Sequence, residues 1–140
     1  MLERFHPDVR VLARHPGAPS SEVTAFRRRH PGLPDTVVEL MREATDLELA
    51  YRGRYLRLYG PATAAEMDEA YSISRRIPGA VVIGDNGGGE AIIILENGRG
   101  IHRVGYGALD ADEVLPVAGD LEELLVAATV PAEAVGSVLA

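Results

Sequence analysis

The sequence predicts an α+β fold: a central antiparallel β-sheet of about 5–6 strands, meander-like, with helices packed against it. Three observations carry that expectation. Residues 80–106 contain three consecutive strand-like runs joined by two turns written in the sequence. Residues 55–59 alternate Tyr55, Leu56, Arg57, Leu58 and Tyr59, the period of two of a strand. Elsewhere apolar residues recur at i, i+3, i+4 and i+7, the buried stripe of an amphipathic helix.

Residues 1–19 carry three prolines and no sustained period, so they read as a loosely ordered N-terminal arm, with a single domain over 20–140. Ser20 and Ser21 offer an N-cap to a helix that places Val23 and Phe26 together before Pro31 stops it. Leu33-Pro34-Asp35 opens a second helix, with Pro34 suited to its first position and Asp35 to the positive end of its dipole. Val37, Leu40, Met41 and Ala44 form its stripe. Residues 48–60 follow as a strand pair turning near Gly53. Thr63 and Glu66 have capping-box spacing for a third helix, which Pro78-Gly79 ends.

The central stretch comes next. Val81–Ile83 are β-branched, Asp85-Asn86-Gly87-Gly88-Gly89 makes a turn, and Ala91–Leu95 is apolar at every position. A strand apolar on both faces is covered on both, which predicts the middle of the sheet. Asn97-Gly98 tolerates the positive φ of a tight hairpin turn and leads into the third run. Asp110-Ala111-Asp112-Glu113 reads as an acidic loop, and Val114–Val117 as an edge strand, because Pro116 cannot donate to an interior ladder. Asp120 and Glu123 cap a last helix whose buried face is Leu121, Leu124, Leu125 and Ala128.

Composition narrows the function classes. The 140 residues include no cysteine, which excludes a disulfide framework, a thiolate nucleophile and a cysteine zinc site. All 14 basic residues are arginine, which excludes Schiff-base chemistry and a P-loop lysine. No run has the length of a membrane span and no apolar signal core begins the chain, so a cytoplasmic protein is expected. The net charge of −7 is divided unevenly, +2 over residues 1–60 and −9 over residues 61–140. Nucleic-acid binding wants a basic footprint, so no nucleic-acid partner is expected, whereas a basic protein partner suits the acidic half.

Four groups of residues merit weighing. Asp85-Asn86-Gly87-Gly88-Gly89-Glu90 has the glycine content of a phosphate cradle, but a strand rather than a helix N-terminus follows it, so the turn reading is preferred. Asp85 and Glu90 across that turn are two carboxylates for a divalent cation, too few for a site, and no metal or other cofactor is expected. His6, His15, His30 and His102 lack ligand spacing, and no Ser/His/Asp trio is suggested, so no catalytic residues are assigned. Two sets remain as interface material, each weighed against a plain surface role. One is Tyr51, Arg52, Arg54, Tyr55, Arg57 and Tyr59 on the early strand pair, since tyrosine and arginine dominate interface hot spots. The other is the acidic set Asp110, Asp112, Glu113, Asp120 and Glu122.

Taken together, Leu33-Pro34 opening a helix, the strand 55–61, Pro78-Gly79, the segment Val81-Val82-Ile83-Gly84-Asp85-Asn86-Gly87-Gly88-Gly89-Glu90-Ala91 and the closing 120–125 helix resemble the SUKH superfamily, and within it the Smi/Knr-like domain. The resemblance covers roughly residues 20–128, and the segment Gly84–Glu90 is its most specific part. It departs from the family at residues 44–47, where many members have Asn-Gly, and in having no tryptophan. The resemblance implies an antiparallel sheet with packed helices and a non-catalytic role. Bacterial members are typically immunity proteins that neutralise a cognate polymorphic or contact-dependent toxin, often a nuclease, and fungal members are cell-wall regulators acting through protein contacts. The leading expectation is an immunity protein with a basic toxin domain as partner. The alternatives are a regulatory scaffold module and a small-ligand-binding domain using the Asp85–Glu90 turn. The sequence leaves the oligomeric state open.

Overall fold

The computed structural model describes residues 9–51, 53–119 and Leu124, with Tyr51 and Arg54 described by their backbone alone. Its centre is a seven-stranded antiparallel sheet in which every strand lies beside its neighbour in the chain. The strands are β1 (Arg10–Pro16), β2 (Ala44–Tyr51), β3 (Arg54–Leu58), β4 (Val81–Asp85), β5 (Glu90–Ile94), β6 (Ile101–Gly105) and β7 (Leu115–Ala118). Helices α1 (Ser20–Arg29) and α2 (Asp35–Glu43) lie between β1 and β2, and α3 (Pro61–Tyr71) and α4 (Ile73–Arg76) between β3 and β4. The α+β architecture is as expected, with one strand more.

That extra strand corrects the reading of the N-terminal arm. Residues 10–16 form β1 and pair with β2 with two register shifts, while residues 1–8 lie outside the described residues. β1 is exposed along nearly its whole length, including Val11 and Leu12. An uncovered strand has no burial to impose alternation, so its sequence shows none.

The period-two residues of β2 and β3 pair in the expected way. Leu47 sits opposite Leu58 and Leu49 opposite Leu56 on one face, while Glu48 faces Arg57 and Ala50 faces Tyr55 on the other. The four leucines are each 3% exposed or less, so the apolar face is inside. β3 continues the sheet into β4 through Arg57 opposite Asp85 and Leu58 opposite Gly84. Gly84 is required there: a Cβ would fall on the Arg57 carbonyl and the Leu58 side chain.

β4 occupies the middle place by count, and β5, the expected centre, lies beside it. Ala91, Ile92, Ile93 and Ile94 are each 1% exposed or less, so β5 is covered on both faces as its sequence requires. Each such isoleucine contributes about 1.5–3 kcal/mol of hydrophobic stabilisation. The tight hairpin turn expected at Asn97-Gly98 is not formed: residues 95–100 connect β5 to β6. Only Gly98 of the pair has a positive φ, 70°, and its amide donates to the Leu95 carbonyl at 2.8 Å. β7 is the edge strand expected from Pro116.

The helices follow their stripes but start differently from the capping signals. α1 and α2 are preceded by Pro19 and Pro34, and no side chain caps either one. Pro34 therefore stands just outside the helix, with Asp35 in the first turn. Pro61 takes the first position of α3, so Thr63 lies inside the helix and its capping box does not form. The expected single helix up to Pro78 breaks at Ser72, which is left-handed at φ 55°. Asp68 fixes that break by accepting from the Ser74 amide at 2.7 Å and the Ser74 hydroxyl at 2.9 Å. Leu124 is fully buried, while the rest of the predicted 120–128 helix lies outside the described residues. Among the described residues no helix is long and apolar enough to cross a membrane.

Candidate functional site

The β3–β4 pairing brings two separately noted stretches together. Because Arg57 lies opposite Asp85, the polar face of β3 is carried onto the glycine-rich turn that follows β4. Gly53, Tyr55, Arg57, Asp85, Asn86, Gly87 and Gly88 line an open depression of about 500 Å³ between the β2–β3 and β4–β5 turns. Gly87, at φ 72°, lies so close to Tyr55 that a Cβ would come within 2.6 Å of the ring. The glycine-rich turn thus meets β3 through a residue that must be glycine.

The turn is held internally. Asp85 Oδ1 accepts from the Gly87 amide at 3.0 Å, and Asn86 Oδ1 accepts from the Gly88 amide at 3.0 Å. The Asn86 amide donates to the Glu90 carbonyl, and its side-chain nitrogen donates to Glu90 Oε1 at 3.0 Å. Asn86 is only 4% exposed, and these bonds account for its burial. A phosphate cradle needs free amides, and the Asn86, Gly87 and Gly88 amides are all occupied. The turn reading therefore stands.

The two carboxylates of the turn lie on opposite faces of the sheet. Asp85 pairs with Ala91, so the next residue, Glu90, points the other way and meets Arg103 Nη1 at 3.1 Å. They do not converge on a cation. Among the described residues no group of three or more His, Asp or Glu side chains is placed to hold a metal.

Beneath the depression runs a tyrosine–aspartate network. The Tyr59 hydroxyl donates to Asp85 Oδ2 at 2.5 Å and lies 3.1 Å from the Tyr106 hydroxyl. The Tyr106 ring in turn packs on Tyr71 of α3 with centroids 4.4 Å apart. Burial pushes the Tyr59 hydroxyl well above its ordinary value, and the bonds to Asp85 and Tyr106 add to the shift. Burial also raises Tyr106. Tyr55 is pushed up to about 12, by burial and by donating to Glu48 Oε1 at 2.5 Å. These hydroxyls are hydrogen-bond donors at neutral pH, with no tendency to act as bases.

Arg57 has a different situation. In register it is flanked by Glu48 and Asp85, yet both carboxylates are taken by tyrosine hydroxyls. Its guanidinium lies over the Tyr59 ring at 5.3 Å, and its Nε is buried without a hydrogen-bond partner.

The remaining candidates lie elsewhere. Tyr51 and Arg54 pair at the end of the β2–β3 ladder, and Arg52 lies outside the described residues. Asp110, Asp112 and Glu113 are exposed at a 3-10 turn before β7, where Asp110 Oδ1 caps the Asp112 amide at 2.9 Å. They are not part of the depression. Asp120 and Glu122 lie outside the described residues. His15, His30 and His102 stand on β1, the end of α1 and β6. Sequence reasoning passed over Tyr106 and Tyr71. A glycine-flanked tyrosine directly after a strand was the available signal for Tyr106, while nothing local marks Tyr71.

No protein-family model matches the chain, and no curated protein matches it.

Proposed function

We propose that the chain is a non-catalytic protein-binding domain whose partner surface is the depression between the β2–β3 and β4–β5 turns. The observation that supports this reading is the union of Tyr55 and Arg57 with the Asp85–Gly88 backbone in one open concavity. Tyrosine and arginine are the residues that anchor interfaces, and here a network fixed from below presents them at little ordering cost. The resemblance to the Smi/Knr-like domain adds the finer proposal: an immunity protein that neutralises a cognate toxin domain. In that proposal the exposed acids Asp110, Asp112 and Glu113 steer a basic partner during encounter.

The test is an affinity pull-down of the tagged chain from its host, with partners identified by mass spectrometry and compared with the neighbouring genes. The expected result is one stoichiometric partner, encoded next door, whose recovery drops sharply with Tyr55→Ala and Arg57→Ala. Several substoichiometric partners, or one indifferent to both substitutions, would replace this reading with that of a regulatory module. For the acidic turn, reversing Asp110, Asp112 and Glu113 lowers the association rate and flattens its salt dependence. Unchanged kinetics would remove that turn from the binding surface.

A further inference from the structure

We infer that Arg57 is a receptor for a single carboxylate, the side chain of an aspartate or glutamate presented by the partner protein. This rests on the reading of the depression as a partner-binding surface and specifies what that surface recognises.

A guanidinium carries five N–H groups in a planar fork. For Arg57 no hydrogen bond or ion pair is found among the described residues, and its Nε is buried without an acceptor. A buried N–H of a charged group left without an acceptor is costly, and such groups in native proteins have a reason. The obvious internal acceptors are present in register but diverted. Tyr55 holds Glu48 and Tyr59 holds Asp85, each at 2.5 Å. The guanidinium is nevertheless fixed in place, because it lies 5.3 Å from the centre of the Tyr59 ring. It is therefore held in position at the wall of an open depression, with neither neighbouring carboxylate bonded to it.

The surroundings choose among anions. A phosphate would need several donors, but the Asn86, Gly87 and Gly88 amides are occupied within the turn. It would also bring two negative charges toward Asp85 and Glu48. One carboxylate meets one fork in the planar geometry that arginine favours, with a single negative charge. A cation is disfavoured by Arg57 itself, and both Asp85 oxygens already accept a hydrogen bond. Recognition of an acidic side chain here complements the acidic turn at Asp110–Glu113. Together they would require a partner whose basic surface is interrupted by one acid.

The experiment is an NMR titration of the full chain, following the Arg57 Nε–Hε resonance and the Gly87 and Gly88 amides. The probes are the blocked tripeptide acetyl-Gly-Glu-Gly-amide, its Gln analogue and inorganic phosphate. The glutamate peptide is expected to saturate the shifts with half-saturation at about 10 mM, the scale of one charge-assisted pair. The Gln analogue is expected to bind at least about ten-fold more weakly, as a neutral acceptor does. Arg57→Gln should abolish the response with its amide spectrum otherwise intact, and Arg57→Lys should restore only part of it, since lysine lacks the fork. Equal responses to the Glu and Gln peptides, a response that survives Arg57→Gln, or tighter binding of phosphate would each overturn the inference. None of those results bears on whether a protein partner exists, so failure here is separable from failure of the pull-down.

Discussion

Removing one oxygen atom from Tyr59 isolates the network that supports the depression. Tyr59→Phe keeps the ring, and so keeps the platform beneath Arg57, while deleting the hydroxyl that donates to Asp85 and meets Tyr106. Tyr59 is 3% exposed, so water does not readily replace what is lost on its side. Asp85 is partly exposed and keeps its bond from the Gly87 amide, which moderates the cost. A hydrogen bond to a charged group is worth about 1.5–3 kcal/mol, and the retained partner places the expected loss at about 2 kcal/mol. At an unfolding entropy of about 2 cal/mol/K per residue, that loss lowers Tm by about 7 °C for a chain of this length. Urea denaturation and calorimetry measure it directly, and a Tyr59→Phe/Asp85→Asn double-mutant cycle assigns it to the pair. A loss below about 0.5 kcal/mol, the ordinary range for substitutions that break nothing, would refute the view that this network supports the fold.

Further outcomes follow from the same geometry. The hydroxyls of Tyr55, Tyr59 and Tyr106 all titrate above their ordinary value of 10.0 in the folded chain. Between the unfolded and folded values the native state binds more protons, so stability falls as pH rises above about 10, and Tyr59→Phe flattens that fall. His102 is the opposite case: burial holds it below 6.5, and its Nδ1 is buried without a partner. The unfolded chain protonates first on acidification, so stability present at neutral pH is lost as pH drops below about 6.5, and His102→Gln reduces the loss in urea titrations. Gly84→Ala should cost about 3 kcal/mol or more by forcing β3 from β4, since the new Cβ would overlap the Arg57 carbonyl. Gly89→Ala, with φ 85° but open space around it, should cost only about 1–2 kcal/mol. Equal urea midpoints for the two alanine variants would contradict the close approach described at Gly84.

Legibility in the sequence tracked how local the determining physics is. The β4–β5–β6 order could be read directly, because Asp85–Gly89 carries its turn chemistry within a few residues. Asn97-Gly98 marked the place of the second turn but not its form, a longer connection over residues 95–100. β7 was legible through Pro116. β1 was not, since its exposed residues have no buried face to alternate against. The break at Ser72 was equally hidden, because it depends on Asp68 reaching forward six residues to Ser74. Competition between signals misplaced the start of α3, where Pro61 prevailed over the Thr63/Glu66 spacing. The site shows the same division. Tyr55, Arg57 and the 85–90 turn were each visible as fragments, yet nothing local joins them. Their union is made by the Arg57–Asp85 register across two intervening helices, and that register is a property of the sheet.

The strand order also bears on how the chain is made. Every strand in the sheet has its sequence predecessor as a neighbour, so no strand must wait for a partner synthesised much later. The two longest waits are the helical segments before β2 and before β4, which are where loop-closure entropy must be met. Emerging from a ribosome, the chain can extend its ladder by one strand at a time, with each growing edge covered by the next strand. Among the interior strands, the edge that stays open longest during synthesis is that of β3, which waits through α3 and α4 for β4. The strand that bears Tyr55 and Arg57 is therefore the interior strand that waits longest for shelter from a stray pairing during translation.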